Sequence, residues 1–241
     1  IRNLSGGLGH RLRYYYYKFW FKKCGKNVRI DEGVIFHNPE NILVGNNVWI
    51  GSYSILTALP SYLIENKELI QKKNESYSKS KCNIELKDNI HIGSFNIIQG
   101  YGGVLICNNC TTSANVKIYS QSNLPSSKTK PKEETGASTM VKDKIVPSIA
   151  YPIVLNEGVW LGIGVCVFGG NIGKYTFVKT YSLVLGDLNS HSIYSGNPIR
   201  FEKKRYSWNK FKTNLGLLLD FVYRYHNNIF LVFWSCICPY F

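Results

Sequence analysis

Acidic residues are scarce in this sequence. The 241 residues include 15 Asp and Glu against 29 Lys and Arg, and the formal net charge at pH 7 is +14. A chain with this imbalance attracts anions rather than cations. We therefore expect anionic partners, and the charge alone is compatible with the phosphates of a coenzyme or nucleotide, a membrane surface or nucleic acid. The alternative interpretation is that the basic residues only solvate the surface.

Long apolar runs are also missing. The two apolar runs near the end of the chain, LGLLL and IFLVFWSCIC, fall short of the 18 or so residues that a membrane-spanning helix needs. Basic residues interrupt every apolar run near the start of the chain, which is not the pattern of a cleavable signal peptide. The sequence predicts a cytoplasmic protein, with peripheral contact with the inner face of the membrane as a further option.

Motifs for metal and nucleic-acid binding are incomplete or absent. Cys107 and Cys110 have the spacing of a zinc pair, but no second Cys or His pair stands near them. The seven cysteines are scattered, and several replace aliphatic residues, which indicates reduced thiols in a cytosolic protein. No stacking motif or fold signature of a nucleic-acid-binding protein is present. We expect neither a metal site nor a nucleic-acid partner.

A repeat of six residues is the dominant pattern of the sequence. From Pro152 to Pro198, apolar residues stand in pairs separated by one residue, and the pairs recur every six residues with a single step of five. Alternation within a pair indicates extended backbone, and the step of six indicates a strand that turns a corner every few residues, as in a parallel β-helix. The predicted inward residues are Ile153/Leu155, Val159/Leu161, Val165/Val167, Ile172, Thr176/Val178 and Ser182/Val184.

The same spacing recurs earlier in the chain. His91 stands between two inward positions and is expected to point outward, whereas Asn96 takes an inward position and is expected to form a polar ladder with another coil. The inward pairs are Val28/Ile30, Val34/Phe36, Ile42/Val44, Val48/Ile50, Ser54/Leu56, Ile84/Leu86, Ile90/Ile92, Asn96/Ile98, Val104/Ile106, Cys110/Thr112 and Val116/Ile118.

The predicted fold is an all-β solenoid with helical extensions at both ends. The β-helix spans residues 28–198, and polar, aperiodic sequence at 57–82 and 119–151 predicts two loops that leave the coils. Residues 1–27 are predicted to form a helical cap and residues 199–241 a helical tail.

The aromatic, basic segment near the start of the chain has two interpretations. At helical spacing, Leu12, Tyr15, Tyr16, Phe19 and Trp20 share one face. This face is expected to cover the first coil, since the end of a solenoid would otherwise expose apolar side chains. The second interpretation is a basic amphipathic helix that lies on an anionic membrane.

Two short motifs carry a family resemblance. Val159-Trp160-Leu161-Gly162 and the closing Ser195-Gly196-Asn197-Pro198 resemble segments of the hexapeptide-repeat acyltransferases. The resemblance covers about residues 28 to 200. It implies a left-handed parallel β-helix, a homotrimer, acetyl-CoA as co-substrate and a sugar acceptor, such as a cell-surface polysaccharide precursor.

The resemblance also indicates where the chemistry should lie. In similar proteins, the loop that follows the middle coils reaches across the trimer interface and holds a His near the positions of Ser122 or Asn123. This chain has no His between residues 119 and 151, so Gln121 and Asn123 are the residues that stand in the usual catalytic region.

Acetyl transfer to a hydroxyl needs a general base, and His suits this task because its ordinary pKa is near 6.5. His10 and His226 lie in the terminal segments, and His191 precedes the closing Gly-Asn-Pro. This leaves His37 and His91. We favour His91, because a loop of a neighbouring subunit could complete a pocket over its coil face.

The resemblance implies that Trp160, Gly162, Lys179, Tyr181 and Asn197 contact the coenzyme. The family commonly has small residues along the track of the pantetheine arm, whereas the matching positions here read Lys-Thr-Tyr-Ser. The bulky side chains could narrow this groove, and the Lys could pair with a CoA phosphate. The leading hypothesis is an acyl-CoA-dependent O-acetyltransferase, and the alternative is a catalytically altered or inactive trimeric scaffold that has lost the usual His.

Overall fold

Three parallel β-sheets, A, B and C, enclose a common core. A computed structural model describes residues 1–60, 84–123 and 148–206. Within these ranges the chain visits sheet A, then sheet B, then sheet C, before it begins the next coil. This is the predicted left-handed parallel β-helix.

The strands are short, and nearly all pair in parallel. Sheet A has the order β1-β4-β7-β10-β15-β18, sheet B the order β2-β5-β8-β11-β16-β19-β21-β22, and sheet C the order β20-β17-β12-β9-β6-β3. In chain order the strands are β1 (Lys23–Cys24), β2 (Arg29–Ile30), β3 (Ile35–His37), β4 (Ile42–Val44), β5 (Val48–Ile50), β6 (Ile55–Thr57), β7 (Ile84–Leu86), β8 (Ile90–Ile92), β9 (Ile97–Gln99), β10 (Val104–Ile106), β11 (Thr111–Thr112), β12 (Lys117–Tyr119), β13 (Gln121–Asn123), β14 (Ser148–Ala150), β15 (Ile153–Leu155), β16 (Trp160–Leu161), β17 (Cys166–Val167), β18 (Gly170–Ile172), β19 (Phe177–Val178), β20 (Leu183–Val184), β21 (Ser192–Ser195) and β22 (Arg200–Lys204).

The residues predicted to point inward fill the axis of the solenoid. All of them are buried except Phe36, which is half-buried at the open end of the first coil and packs against the ring of Tyr17. The polar ladder at Asn96 is also confirmed. Its side-chain amide donates to the carbonyl oxygens of Gly93 and Ser113, at 2.6 and 2.9 Å, and its backbone N–H donates to Ser54 Oγ of the preceding coil.

A ladder of asparagines holds the corner between sheets A and B. Asn27, Asn47, Asn89 and Asn109 all have left-handed backbone conformations, with φ between 54° and 61°. Asn adopts this conformation more readily than most residues that carry a side chain. The side-chain amides of the first three each donate to the Oδ1 of the next Asn at 2.9 to 3.1 Å, so neighbouring coils are joined at their corners.

The corner between sheets B and C, here called the B–C edge, repeats the left-handed conformation with other residues. Tyr181 lies against Gly164 of the preceding coil, where an added Cβ would come within 2.6 Å of the Tyr ring. The Tyr181 ring therefore packs against the preceding coil at a position that has space only for a glycine. The positions with positive φ at this edge include Gly33, Tyr53, Phe95, Asn115, Gly164, Tyr181 and Gly196.

The N-terminal helix, α1 (Gly6–Trp20), does not present the face that was predicted to cover the first coil. The predicted face, which comprises Leu12, Tyr15, Tyr16, Phe19 and Trp20, is exposed to solvent. Gly9 and Arg13 are buried instead, and the rings of Tyr14 and Tyr17 pack against the core.

Arg13 determines this orientation. Its side chain is fully buried, and its Nε donates to the carbonyl oxygen of Ile30 at 2.8 Å. Its Nη1 donates to Leu4 O at 2.6 Å and to the carbonyl oxygens of residues 1 and 2. A buried guanidinium needs such partners, since leaving its donors unpaired is costly. The backbone that precedes α1 therefore folds over Arg13 and closes the end of the solenoid.

The predicted element boundaries shift at several places. The β-helix begins at Lys23, because β1 pairs with β4, and not at residue 28. Residues 200–204 form an antiparallel strand on β21 where a helical tail was predicted from 199. The second loop leaves the coils through the antiparallel hairpin of β13 and β14. The interior of both loops and the rest of the predicted tail lie outside the described residues.

We predict that Asn89→Ala destabilises the protein more than Asn89→Gly. Both variants lose two side-chain hydrogen bonds, but Ala must also adopt the left-handed conformation, at about 1–2 kcal/mol, whereas Gly adopts it freely. Urea unfolding followed by circular dichroism measures the difference. Equal losses of unfolding free energy would contradict the importance of the left-handed corner.

Candidate active site

A column of side chains runs along the outer face of sheet B. In sheet B the residue just before the last inward residue of each strand points outward, and parallel in-register pairing stacks these residues about 4.8 Å apart. We call this column the outer stripe. It consists of Arg29, Trp49, His91, Thr111, Trp160 and Phe177.

Aromatic rings flank His91 within the outer stripe. The imidazole lies against the Trp49 ring, with 4.7 Å between centroids, and Trp160 lies against Phe177 at 4.5 Å. Trp49 and Trp160 keep 40% and 41% of their surface exposed, so both indoles are accessible from outside the coil. The small Thr111 separates the two ring pairs. The stripe therefore offers an imidazole and a hydroxyl side by side, between two aromatic platforms.

The buried carboxylate of Asp31 holds two side chains at one end of the outer stripe in place by hydrogen bonds. Asp31 Oδ1 accepts a hydrogen bond from Arg29 Nε at 2.8 Å, and its Oδ2 accepts one from Trp49 Nε1 at 2.8 Å. The Arg29 guanidinium also lies 4.3 Å from the Trp49 ring centroid. These contacts hold the indole that stacks on His91.

His10 joins the same carboxylate, which the sequence did not indicate. Its Nε2 lies 3.1 Å from Asp31 Oδ1. An imidazole that donates from Nε2 keeps Nδ1 as a proton acceptor, so His10 is a second candidate base. Its position in the terminal segment gave no sign of this contact, because only the packing of α1 against β2 brings it to Asp31.

Burial lowers the pKa of His91, and the negative charge of Asp31 opposes this shift. Desolvation disfavours the charged imidazolium, so the neutral imidazole predominates at pH 7. Only the neutral form can accept a proton. His91, which points out of the coil between the buried Ile90 and Ile92, is therefore in the protonation state that a general base requires.

Four of the five residues expected to contact the coenzyme lie together at the B–C edge. Gly162 approaches the next coil so closely that an added Cβ would lie 2.8 Å from the backbone nitrogen of Thr180. Lys179 and Tyr181 flank that Thr. The chain returns to the same edge before Asn197, since Gly196 N donates to Ser182 Oγ at 3.0 Å. The fifth residue, Trp160, lies on the adjacent outer stripe.

Comparisons with known proteins agree with this architecture. No family model matches the chain. It is 29% identical over 171 residues to the dTDP-4-amino-4,6-dideoxy-D-glucose acyltransferase of Escherichia coli, which covers 71% of this chain and 66% of that protein. It is 35% identical over 81 residues to a probable macrolide acetyltransferase of Lysinibacillus sphaericus, which covers 31% of this chain and 45% of that protein. The chain thus spans 66% or less of the length of these relatives.

A solved structure shows the same fold. AntD, an N-acyltransferase from Bacillus cereus in complex with dTDP-4-amino-4,6-dideoxyglucose and coenzyme A, superposes with a TM-score of 0.64 at 19% identity. The match covers 88% of this chain and 96% of AntD. The chain therefore has the left-handed β-helix fold of AntD, and its sequence is similar to those of known acyltransferases.

Gln121 and Asn123, which the resemblance predicts to stand in the catalytic region, lie away from His91 in this chain. Gln121 begins the hairpin that leaves the corner between sheets C and A, where its backbone N–H donates to Gln99 Oε1 at 3.1 Å. In a three-sided solenoid this corner is opposite sheet B. Gln121 and Asn123, the last residue of β13, therefore belong to a different surface of the chain from His91. His37, the other candidate, ends a strand of sheet C and also lies off the outer stripe.

The sequence did not indicate which residue pairs with Lys179. Its Nζ lies 2.7 Å from Glu202 Oε2, and the hydroxyl of Ser195 donates to the other carboxylate oxygen. These hydrogen bonds, that of Lys179 above all, hold the pKa of the exposed Glu202 below its ordinary value. Glu202 lies in β22, which was predicted as helix, so the ion pair could not be expected from the sequence.

Cys110 packs as a core residue. It is buried, its thiol lies 3.0 Å from the carbonyl oxygen of Asn156, and burial raises its pKa to about 12. A thiol in this state is neither a nucleophile nor a metal ligand near pH 7. In the described ranges no group of three potential ligands could hold a metal ion.

We predict that His91 titrates below the ordinary pKa of about 6.5, and that Asp31→Asn lowers its pKa further. The carboxylate favours the imidazolium, so its removal leaves desolvation unopposed. NMR titration of the imidazole C–H signals measures the His91 pKa in the wild type and in the Asn variant. A His91 pKa at or above 6.5, or a rise in the Asn variant, would overturn this account of the electrostatics.

Proposed function

We propose that the protein is an acyl-CoA-dependent acyltransferase that transfers an acetyl group from acetyl-CoA to a sugar. The observation that carries this proposal is the neutral, outward-facing imidazole of His91 between the two aromatic platforms of the outer stripe. Likeness to the E. coli acyltransferase supports the reaction class.

The proposed reaction begins with proton transfer. His91 takes the proton of the acceptor hydroxyl, and the oxygen attacks the carbonyl carbon of the thioester. The tetrahedral intermediate then collapses with cleavage of the C–S bond. The CoA thiolate takes the proton back from His91, which leaves an acetyl ester, free CoA and the neutral imidazole.

Acetyl-CoA is proposed to lie along the B–C edge. Lys179 stands three coils from His91 along the solenoid, a rise of about 14 Å. An extended pantetheine arm could bridge this interval, with a CoA phosphate near Lys179 and the thioester near His91. The phosphate would replace Glu202 as the partner of Lys179, and Gly162 and Tyr181 would line the track.

The acceptor is proposed to be a sugar that stacks on the indoles. The amphipathic rings of Trp offer apolar faces with a polar edge, which suits a sugar ring. A hydroxyl acceptor on a cell-surface polysaccharide precursor remains our first proposal. An amine is the second candidate, because the E. coli relative is named for an amino-sugar nucleotide.

A homotrimer is part of the proposal. The hairpin that carries Gln121 lies opposite sheet B of its own chain. Only a neighbouring copy can therefore bring these residues to the outer stripe, and closed symmetric assembly would complete three equivalent sites. The proposed location is the cytoplasm, where acetyl-CoA is available.

The second candidate function is a scaffold without catalysis. The Lys179–Glu202 ion pair favours it, because the proposed phosphate partner is already neutralised. Tyr181 favours it too, since the ring fills the groove over Gly164. Activity of the purified protein separates the two functions.

We predict that the protein releases CoA from acetyl-CoA in the presence of a sugar-nucleotide acceptor, and that His91→Gln lowers kcat by about 100-fold or more. The measurement is thiol release with hydroxyl and amino acceptors, and the wild-type rate should rise with pH through an apparent pKa below 6.5. His37→Gln is the matched control and should leave the rate unchanged.

Two outcomes would count against this assignment. Loss of activity in His10→Gln with full activity in His91→Gln would assign the base to His10. An inactive wild-type protein that also fails to bind CoA would favour the scaffold.

A further inference from the structure

The solvent-exposed face of α1 is apolar along its whole length. Leu8, Tyr15 and Phe19 expose 65%, 68% and 83% of their surface. Such exposure is unusual for large apolar side chains that adjoin one another, and a contiguous patch of this kind usually marks an interaction surface. We call this surface the α1 face, and its members are Leu8, Leu12, Tyr15, Tyr16, Phe19 and Trp20.

Helical geometry makes the α1 face continuous. Relative to Leu8, its members follow at steps of four, seven, eight, eleven and twelve residues, which places them on one side of the helix. The opposite side holds Arg13 among the carbonyl oxygens that it caps. The helix therefore cannot turn its apolar side inward without removing the buried guanidinium from its partners.

The charge around the α1 face has one sign. Residues 1–30 contain eight Lys and Arg and no Asp or Glu. Arg11 and Lys18 flank the apolar side chains, and Lys22 and Lys23 follow the helix, all of them exposed. Within the described ranges, none of these four residues forms an ion pair.

We propose that the α1 face docks on a bilayer that contains anionic phospholipid. The apolar side chains would enter the interface between headgroups and acyl chains, and the flanking cations would pair with lipid phosphates. Trp and Tyr favour this interfacial depth. A second copy of the chain is a poorer occupant, because it would bring two cationic rims together.

The proposal goes beyond acyl transfer and is tested without it. The full-length protein is sedimented with vesicles of phosphatidylcholine alone or with one quarter phosphatidylglycerol. We expect at least tenfold tighter binding to the anionic vesicles and a loss of that preference in high salt.

The decisive variant is Phe19→Ser, which removes the most exposed ring of the α1 face. We expect its apparent affinity for anionic vesicles to fall about tenfold, because part of a Phe side chain no longer enters the interface. Phe168→Ser, an exposed aromatic residue on another face of the solenoid, is the matched control and should bind as the wild type does.

A second variant tests the charge. Arg11→Gln with Lys18→Gln is expected to weaken binding to anionic vesicles by about fivefold per charge and to leave binding to uncharged vesicles unchanged. Wild-type affinity in both variants would overturn the proposal, since the lipid contact would then lie elsewhere on the chain. A change of oligomeric mass by light scattering without a change in vesicle binding would assign the α1 face to a second copy and would also overturn it.

Discussion

The stacking of equivalent residues from one coil to the next is the constraint on which this structure depends. Each coil turns its corners through residues with left-handed backbone, and Asn47 and Asn89 bond to each other across the coils. A residue at a given position therefore lies above its counterpart, and a change of one residue in a coil would displace a whole column. The outer stripe, the B–C edge and the polar ladder at Asn96 are all columns of this kind.

The six-residue period predicted the features that recur in every coil, but it did not predict contacts that occur only once. The inward residues and the outward direction of His91 follow from the spacing alone, because alternation in a strand leaves only two directions. The orientation of α1 could not follow from spacing. The apolar stripe suggested the buried side, but Arg13 bonds to carbonyl oxygens that only the folded backbone brings together. The contacts of His10 with Asp31 and of Lys179 with Glu202 are equally non-local.

The proposed chemistry uses two adjacent columns with different properties. The outer stripe is aromatic, and burial keeps the imidazole of His91 neutral. The B–C edge approaches the next coil through Gly162 and carries the cation of Lys179. An anionic coenzyme would be held by the second column and would present its thioester to the first. The proposed use of the basic rim of α1, contact with an anionic bilayer, depends on surface charge and not on the reacting groups.

A crystal structure of the protein with bound CoA tests the central claim most directly. The account predicts a phosphate of CoA at Lys179 in place of Glu202, the pantetheine arm along the B–C edge past Gly162 and Tyr181, and the sulfur atom beside His91. CoA bound away from this edge, or with its sulfur at the hairpin of the same chain, would contradict the proposed site while leaving the solenoid intact.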